Sequence, residues 1–443
     1  MAEARGAPPL DLGAALSRLE TAAPRREAGR VTEVTGLVVR AIVPGARVGE
    51  LVEVEGRGLL AEIVGFRGEE AVLMPLGDPA GIGPASTVTA TGRPLSITVS
   101  ESLTGRVLDG LGRPMDGAGP IAGARPSQPW AVDRAAPDPL ARRRVTRPLA
   151  LGIRALDGLL TVGEGQRIGL FAGSGVGKST LMGQIARQTE ADVNVIALVG
   201  ERGREVRDFL EGALGAAGRA RSVVVCATSD APSLVRLKAA FVATAIAEYF
   251  REAGRRVLFM LDSVTRVARA QREVGLAAGE PPARQGYPPS VFALLPRLLE
   301  RTGNDARGSI TALYTVLVAG GDMDEPIADE VRGILDGHVV LSRDIAARHH
   351  WPAVDVLQSL SRLMESVADP AHRAAAGRLR ELLAAYERNR DLVALGAYQP
   401  GSDPITDEAI ARLPAIDDFL RQGTDEHAGF DETRARLVRL VSR

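Results

Sequence analysis

Residues 166–180, QRIGLFAGSGVGKST, constrain this chain more than any other stretch. An apolar segment runs into a glycine loop, and Lys178 and Ser179 then open an amphipathic pattern. The order predicted is strand, loop, helix. Gly173, Gly175 and Gly177 let backbone N–H groups converge on one point, and the helix N-terminus adds donors and positive potential. Such a loop cradles phosphate. Lys178 supplies a point charge for the outer phosphates and the Ser179 hydroxyl a ligand for Mg²⁺, while Ser174, Val176 and Thr180 complete the nucleotide-binding stretch. The strict pattern opens on glycine, where this chain has Ala172; the physics survives the exchange.

The rest of the chain supplies a scaffold for that loop. After about residue 150, QRIGLFA, VNVIALVG, SVVVCAT, RVLFMLD, SITALYTVLV and GHVVLS alternate with helical patterns. Near-continuous apolar runs of this kind read as parallel strands buried on both faces, an α/β core. From Val31 to Val99 the segments GLVVRAIV, ELVEVEG, LLAEIVGF, AVLMPLG and LSITVS are short, alternating and broken by Gly, Pro and Asp, which predicts a small antiparallel β-barrel. From about residue 366 the composition turns to Ala, Arg, Glu and Leu, and the expectation is an all-α domain. The domains expected are 1–28 (a helical segment and linker), 29–100 (barrel), 101–365 (nucleotide-binding) and 366–443 (helical). At 443 residues the chain exceeds what one hydrophobic core serves.

Composition excludes several classes. Lys and Arg (54) nearly balance Asp and Glu (55), which argues against an extended nucleic-acid-coating surface. The single cysteine, Cys226, lies in an apolar run, reads as a small buried residue, and allows no disulfide within the chain. No run of roughly 18 apolar residues occurs. The N-terminus starts acidic without a continuous apolar core, so it is not read as a secretory signal. The chain reads as cytosolic, with attachment to a membrane surface left open.

Two carboxylates stand out, each with two readings. RVLFMLD ends in Asp262, and a carboxylate at the C-terminal edge of a parallel strand faces the ligand crevice, where it serves a Mg²⁺ shell. Alone, such an Asp is more often an N-cap for the next helix; the phosphate loop upstream favours the metal. VNVIALVG leads into Glu201. Phosphoryl transfer to water needs a carboxylate near the γ-phosphate to orient the attacking water, whereas the other reading makes Glu201, Arg202, Arg204 and Glu205 a solvated loop.

Taken in order, GLFAGSGVGKST, VGERGREVRDFLE, LDSVTRVARAQREVGLAAGEPPARQGYPPSVFALLPRLLERTG, MDEPIADEVRGILDGHVVLSRDIAARHHWPAVDVLQSLSRLM and GAYQPGSDP resemble the ATPases of type III protein-secretion systems. These are related to the flagellar export ATPase and to the catalytic subunits of rotary ATP synthases. The resemblance runs from about Val31 to about Pro404. It implies a β-barrel, a RecA-like P-loop ATPase core, a helical C-terminal domain and a ring of six identical subunits. Lys178 and Ser179 match the phosphate-loop pair, Glu201 the catalytic glutamate and Asp262 the aspartate of the Mg²⁺ shell. Arg202 and Glu205 match the surroundings of that glutamate, Arg202 on the catalytic side and Glu205 on the metal side. Trp351 stands where relatives usually have the tyrosine that stacks on adenine, and Arg362 falls on the arginine finger delivered to the neighbouring subunit. ATP and Mg²⁺ are the implied substrate and ion. A central stalk, a stator and substrate–chaperone complexes are the implied partners, and the cytoplasmic face of the inner-membrane export apparatus is the implied location. TEVTGLVVRAIVPGARVGELVEV, EGQR and KAAFVATAIAEYF lean towards the non-flagellar branch.

Rival functions share the core. A hexameric RNA translocase needs a basic, aromatic barrel, but residues 31–100 carry five arginines against eight acidic side chains and one aromatic, Phe66. The expectation is therefore no nucleic-acid partner. A rotary ATP synthase divides catalytic and non-catalytic roles between two chains, and the export-type motifs fit better. Four other features have lesser readings. The acidic segment 319–330 faces the bore of the ring or simply caps a strand. His349 and His350 point apart on extended chain without further ligands. ARRRVTR (141–147) is a solvated linker, and the leucines of residues 10–20 form a fraying helix or one that binds a stator partner or a membrane surface.

Overall fold

In the computed structural model, which describes residues 27–54, 58–121 and 128–442, each apolar run anticipated after residue 150 is a strand. The leucine-bearing segment 10–20 lies outside the described residues.

The first unit is a closed barrel of β1 (Ala28–Thr35), β2 (Val38–Ile42), β3 (Glu50–Val54), β4 (Leu59–Arg67), β5 (Glu70–Pro75) and β6 (Thr87–Pro94), in the order β1-β2-β5-β4-β3-β6. Alternate residues point inward, as the period of two requires, and Val39, Val52, Ile63, Leu73 and Val88 fill the interior. LSITVS does not belong to it. That segment forms β7 (Ser96–Val99), which pairs with β9 (Gln128–Ala131) in a separate two-stranded ribbon. Its alternation was legible, but its partner is about 30 residues downstream, beyond local pattern.

The second compact unit runs from Pro94 onward and holds both the large sheet and the helical C-terminal part. Its strands are β8 (Val107–Asp109), β10 (Arg167–Ala172), β11 (Val193–Val199), β12 (Ser222–Ala227), β13 (Arg256–Asp262), β14 (Gly303–Asn304), β15 (Ser309–Leu317), β16 (Gly337–Leu341) and β17 (Val354–Ser361). The order is β17-β16-β10-β15-β13-β11-β12-β8, with β14 attached to β15. The path from β16 to β8 is parallel, and β17 runs antiparallel to β16. Register brings the C-terminal ends together: Ala172 of β10 lies beside Leu317 of β15 and Leu341 of β16. Ligands bind at that edge of such sheets. Cys226 is buried in β12, and burial pushes its thiol up to about 11.

Three helices finish the chain: Pro370–Ala394, Pro404–Leu420 and Phe430–Val441. Proline opens the first two at a position where no N–H is needed, and the side chains of Asp369 and Asp403 cap them by accepting from His372 N and Ile405 N. Their apolar faces (Leu379, Leu382, Phe419, Leu437) share one core with the sheet and with helix α1 (Arg154–Leu159). Of the arginines of 141–147, Arg143, Arg144 and Arg147 are exposed, as a solvated linker requires, while Arg142 is half-buried. Arg142 Nη1 donates to Thr302 O at 2.6 Å and Arg143 Nε to Asp305 O at 2.8 Å, so the pair binds the carbonyls of a neighbouring loop.

His372 ties the helical part to α1. Its ring is 1 % exposed, Nε2 donates to Gly158 O at 2.8 Å, and Nδ1 is buried without a hydrogen-bond partner among the described residues. Burial holds its pKa below the ordinary 6.5; the Gly158 carbonyl and Asp369 pull it up, Arg434 pushes it down, and Phe430 packs edge-on. The unfolded chain therefore takes up a proton that the folded chain resists, so this stability is present above pH 6.5 and lost as pH falls through it. Wild-type denaturation midpoints should fall between about pH 7.5 and 5.5, and by less in His372→Gln.

Candidate active site

The loop after β10 has the backbone its glycines predict. Gly175 (φ 79°) and Gly177 (φ 78°) are left-handed, conformations that a side chain would strain. Buried Val176 anchors the loop from beneath, and Ser174, Ser179 and Thr180 face outward. Helix α2 (Lys178–Gln188) starts at Gly177 with no side-chain cap, so its first N–H groups are available to an anion.

Three charged residues meet over this loop. Lys178 Nζ is ion-paired with Asp262 Oδ1 and lies 3.7 Å from Glu201 Oε1. Asp262, at the end of β13, is 3 % exposed and accepts from Thr315 Oγ1 at 2.7 Å. The N-cap reading of Asp262 is wrong. Ser263 is the cap of the next helix, Val264–Ala278, its Oγ accepting from Arg266 N at 3.3 Å. The carboxylate is left facing the loop.

Glu201 follows β11 by two residues and is buried, which overturns its solvated-loop reading. Gly200 turns the chain with φ 72°, and a Cβ there would fall 2.8 Å from Arg266 Cδ. The missing side chain makes room for Arg266, whose Nη2 lies 3.3 Å from Glu201 Oε2. Glu201 Oε1 is buried with no hydrogen-bond partner among the described residues. Burial, and then the charge of Asp262, push the Glu201 pKa up to about 7 against the opposing cations Lys178 and Arg266. Glu205 shares a hydrogen bond with Glu201, which holds its own carboxyl below the usual range, and pairs with exposed Arg202 at 3.0 Å. Arg266 was missed in the sequence because its only signal is its place in the first turn after the strand-end Asp262.

Beside the loop lies a cavity of about 350 Å³ lined by Val176, Gly177, Thr180, Leu181, Trp351 and Thr424, among others, with no charged side chain in its wall. A Cβ on Gly177 would stand 2.7 Å from the Trp351 ring, so loop and indole touch. Trp351 O accepts from Gln422 N at 2.9 Å, which brings the connection after the second C-terminal helix into the same wall.

Arg362 is elsewhere. It directly follows β17, at the level of Arg167, because Arg362 N donates to Asp336 O and Asp336 N to Arg167 O. That is the start of β10, five residues from Ala172 or roughly 16 Å along the strand. Its exposed side chain makes no hydrogen bond or ion pair among the described residues. The structure thus gathers Lys178, Glu201 and Asp262, with Trp351 beside them, and leaves Arg362 at the far edge. Two lesser features have a definite geometry. Asp324 and Asp329 of the acidic segment pair with Arg332. His349 has a left-handed turn conformation (φ 59°) in place of the extended chain expected.

Comparison with known proteins agrees with this architecture. The β-barrel domain of the ATP synthase alpha/beta family matches residues 31–92, and its nucleotide-binding domain matches residues 152–361. The T3SS EscN ATPase C-terminal domain matches residues 368–439. The type 3 secretion system ATPase of Xanthomonas euvesicatoria is 56% identical over 425 residues, covering 95% of both chains. The flagellum-specific ATP synthase of Bacillus subtilis is 54% identical over 418 residues, 93% of this chain and 95% of the relative. Among solved structures, the assembled ATPase EscN of the enteropathogenic E. coli type III secretion system superposes with a TM-score of 0.89 at 45% identity, over 94% of this chain and all of that one. In complex with its central stalk EscO the TM-score is 0.87.

The charge arrangement makes a prediction for the nucleotide-free protein. The Glu201 carboxyl should titrate near 7, and Lys178→Met should raise it further, because the lysine charge favours the carboxylate. Carboxyl-carbon NMR of labelled protein reads this, and an unchanged or lowered value in the variant would contradict it.

Proposed function

The chain belongs to the type III secretion ATPase family, and from that membership we propose a ring of six copies that hydrolyses Mg-ATP to energise protein export. The carrying observation is the separation just described. The chain has a phosphate loop with carboxylates in place, yet Arg362, with no partner of its own among the described residues, stands at the opposite edge of its own sheet.

On binding, the triphosphate draws Lys178 away from Asp262. The freed Asp262 and the exposed Ser179 hydroxyl are hard oxygen donors suited to Mg²⁺, which when bound would neutralise phosphate charge. Glu205, engaged with Glu201 and Arg202, fits a role in tuning Glu201 better than the metal role expected of it. Among the described residues no three His, Cys, Asp or Glu side chains gather as a metal cage, so the remaining ligands would come from phosphate and water. Oε1 of Glu201, which no described residue hydrogen-bonds, accepts the hydrogen bond of the attacking water, and a pKa near 7 suits a base working at neutral pH. Arg266 holds that carboxylate from the other side. Trp351 offers a π-face to the base in a pocket without charged side chains. The missing element is a cation for the charge developing on the γ-phosphate, worth roughly 10³–10⁵ in rate. Arg362 of a neighbouring copy supplies it.

The helices after residue 366 would meet substrate–chaperone complexes, with a central stalk and a stator as further partners. No helix among the described residues is long and apolar enough to cross a membrane, and we place the ring at the cytoplasmic face of the export apparatus, peripheral to the membrane. A flagellar role is the second reading, because a flagellum-specific relative is nearly as similar as the secretion-system one. Neighbouring genes for needle proteins, or for hook and rod proteins, separate the two.

Activity per subunit should rise with protein concentration as rings assemble. Arg362→Ala should bind ATP and hydrolyse it about 10³-fold more slowly. Mixed with Glu201→Gln it should regain part of the activity, because each variant supplies what the other lacks. A mixture no more active than its components would count against donation between subunits.

A further inference from the structure

The phosphate loop has a second basic neighbour, Arg343. Arg343 opens the short helix Arg343–Ala347, one residue after the Ser342 cap and two after Leu341, which lies beside Ala172 in the sheet. The chain therefore leaves β16 at the level where the loop leaves β10. The Arg343 side chain reaches across to Gly173: a Cβ on Gly173 would stand 2.9 Å from Nε and 3.0 Å from Nη2.

This contact explains the glycine. Gly175 and Gly177 need no side chain because their φ angles are left-handed, but Gly173 is not left-handed. Backbone conformation would tolerate another residue at 173, but a side chain there would push the guanidinium aside. Arg343 also makes no hydrogen bond or ion pair among the described residues. Its donors are uncommitted beside a loop built for phosphate, whereas Lys178 at the same loop is held by Asp262.

We propose that Arg343 is a positioning residue of the phosphate site, holding the first turn of the loop at Gly173 and adding its charge to the binding of nucleoside di- and triphosphates. This rests on the nucleotide reading of the loop. The guanidinium occupies the volume a side chain at 173 would take and braces the turn. Its positive charge acts on any polyphosphate seated in the loop, and not on the base or ribose.

Calorimetric titration of the full chain with Mg-ATP, Mg-ADP and adenosine tests this. Arg343→Ala should weaken both nucleotides by about tenfold, leave adenosine unchanged, and raise KM far more than it lowers kcat. Arg343→Lys should recover part of the affinity, since charge returns without the planar fork. Gly173→Ala should mimic Arg343→Ala by displacing the guanidinium. Added to Arg343→Ala it should cost little more, because the clash it creates is already gone. Wild-type affinity for both nucleotides in Arg343→Ala would overturn the proposal. So would an equal loss for adenosine, a full extra cost of Gly173→Ala in the double variant, or a defect confined to ring assembly. Failure of the wild type to bind either nucleotide would instead count against the nucleotide reading itself.

Discussion

The reversal of direction between β16 and β17 governs what one copy of this chain can and cannot do. β10, β15, β13 and β16 run parallel and deliver their C-terminal ends to one edge, where the loop, Asp262 and Trp351 collect. β17 then runs back, pairing Val354 with Leu341 and Ser361 with Gly337. Trp351, before the strand, stays at the loop, and Arg362, after it, is carried to the opposite edge. One short segment thus holds a wall of its own site and a cation that its own site cannot use. On the reading proposed above, Arg362 of a second copy resolves the mismatch.

Within the site, charge does the organising. Lys178, Glu201 and Asp262 are nearly removed from water, and two carboxylates there share one lysine. Burial, and then their repulsion, push the Glu201 pKa up to about 7. A phosphate that attracted Lys178 would shift this balance, which on the proposed reading links binding to the readiness of the base. The same chemistry explains why the arginines divide into two groups. Arg266 is bound to Glu201 and Arg202 to Glu205, while Arg343 and Arg362 are free to meet something the single chain does not contain.

Features carried by a few consecutive residues were legible in the sequence. The phosphate loop is one, since its glycines and lysine specify a local backbone, and the strand-end position of Asp262 is another. Features made by contacts across the fold were not. Nothing near residue 263 distinguishes a serine cap from an aspartate cap until the backbone is placed. VDVLQSLS has too irregular a polar pattern to announce β17. LSITVS alternates like a barrel strand yet pairs outside the barrel, and Arg142 looks solvated until the segment carrying Thr302 is folded against it. The burial of Glu201 and its contact with Arg266 follow from the close approach at Gly200, a glycine whose purpose appears only in three dimensions.

The most direct test of the central claim is an electron cryomicroscopy structure of the assembled ring with a non-hydrolysable Mg-ATP analogue. The Arg362 guanidinium of one copy should lie at hydrogen-bonding distance, about 3 Å, from the γ-phosphate held by Lys178 of its neighbour. A γ-phosphate reached by no Arg362, or by the Arg362 of its own chain, would contradict the account.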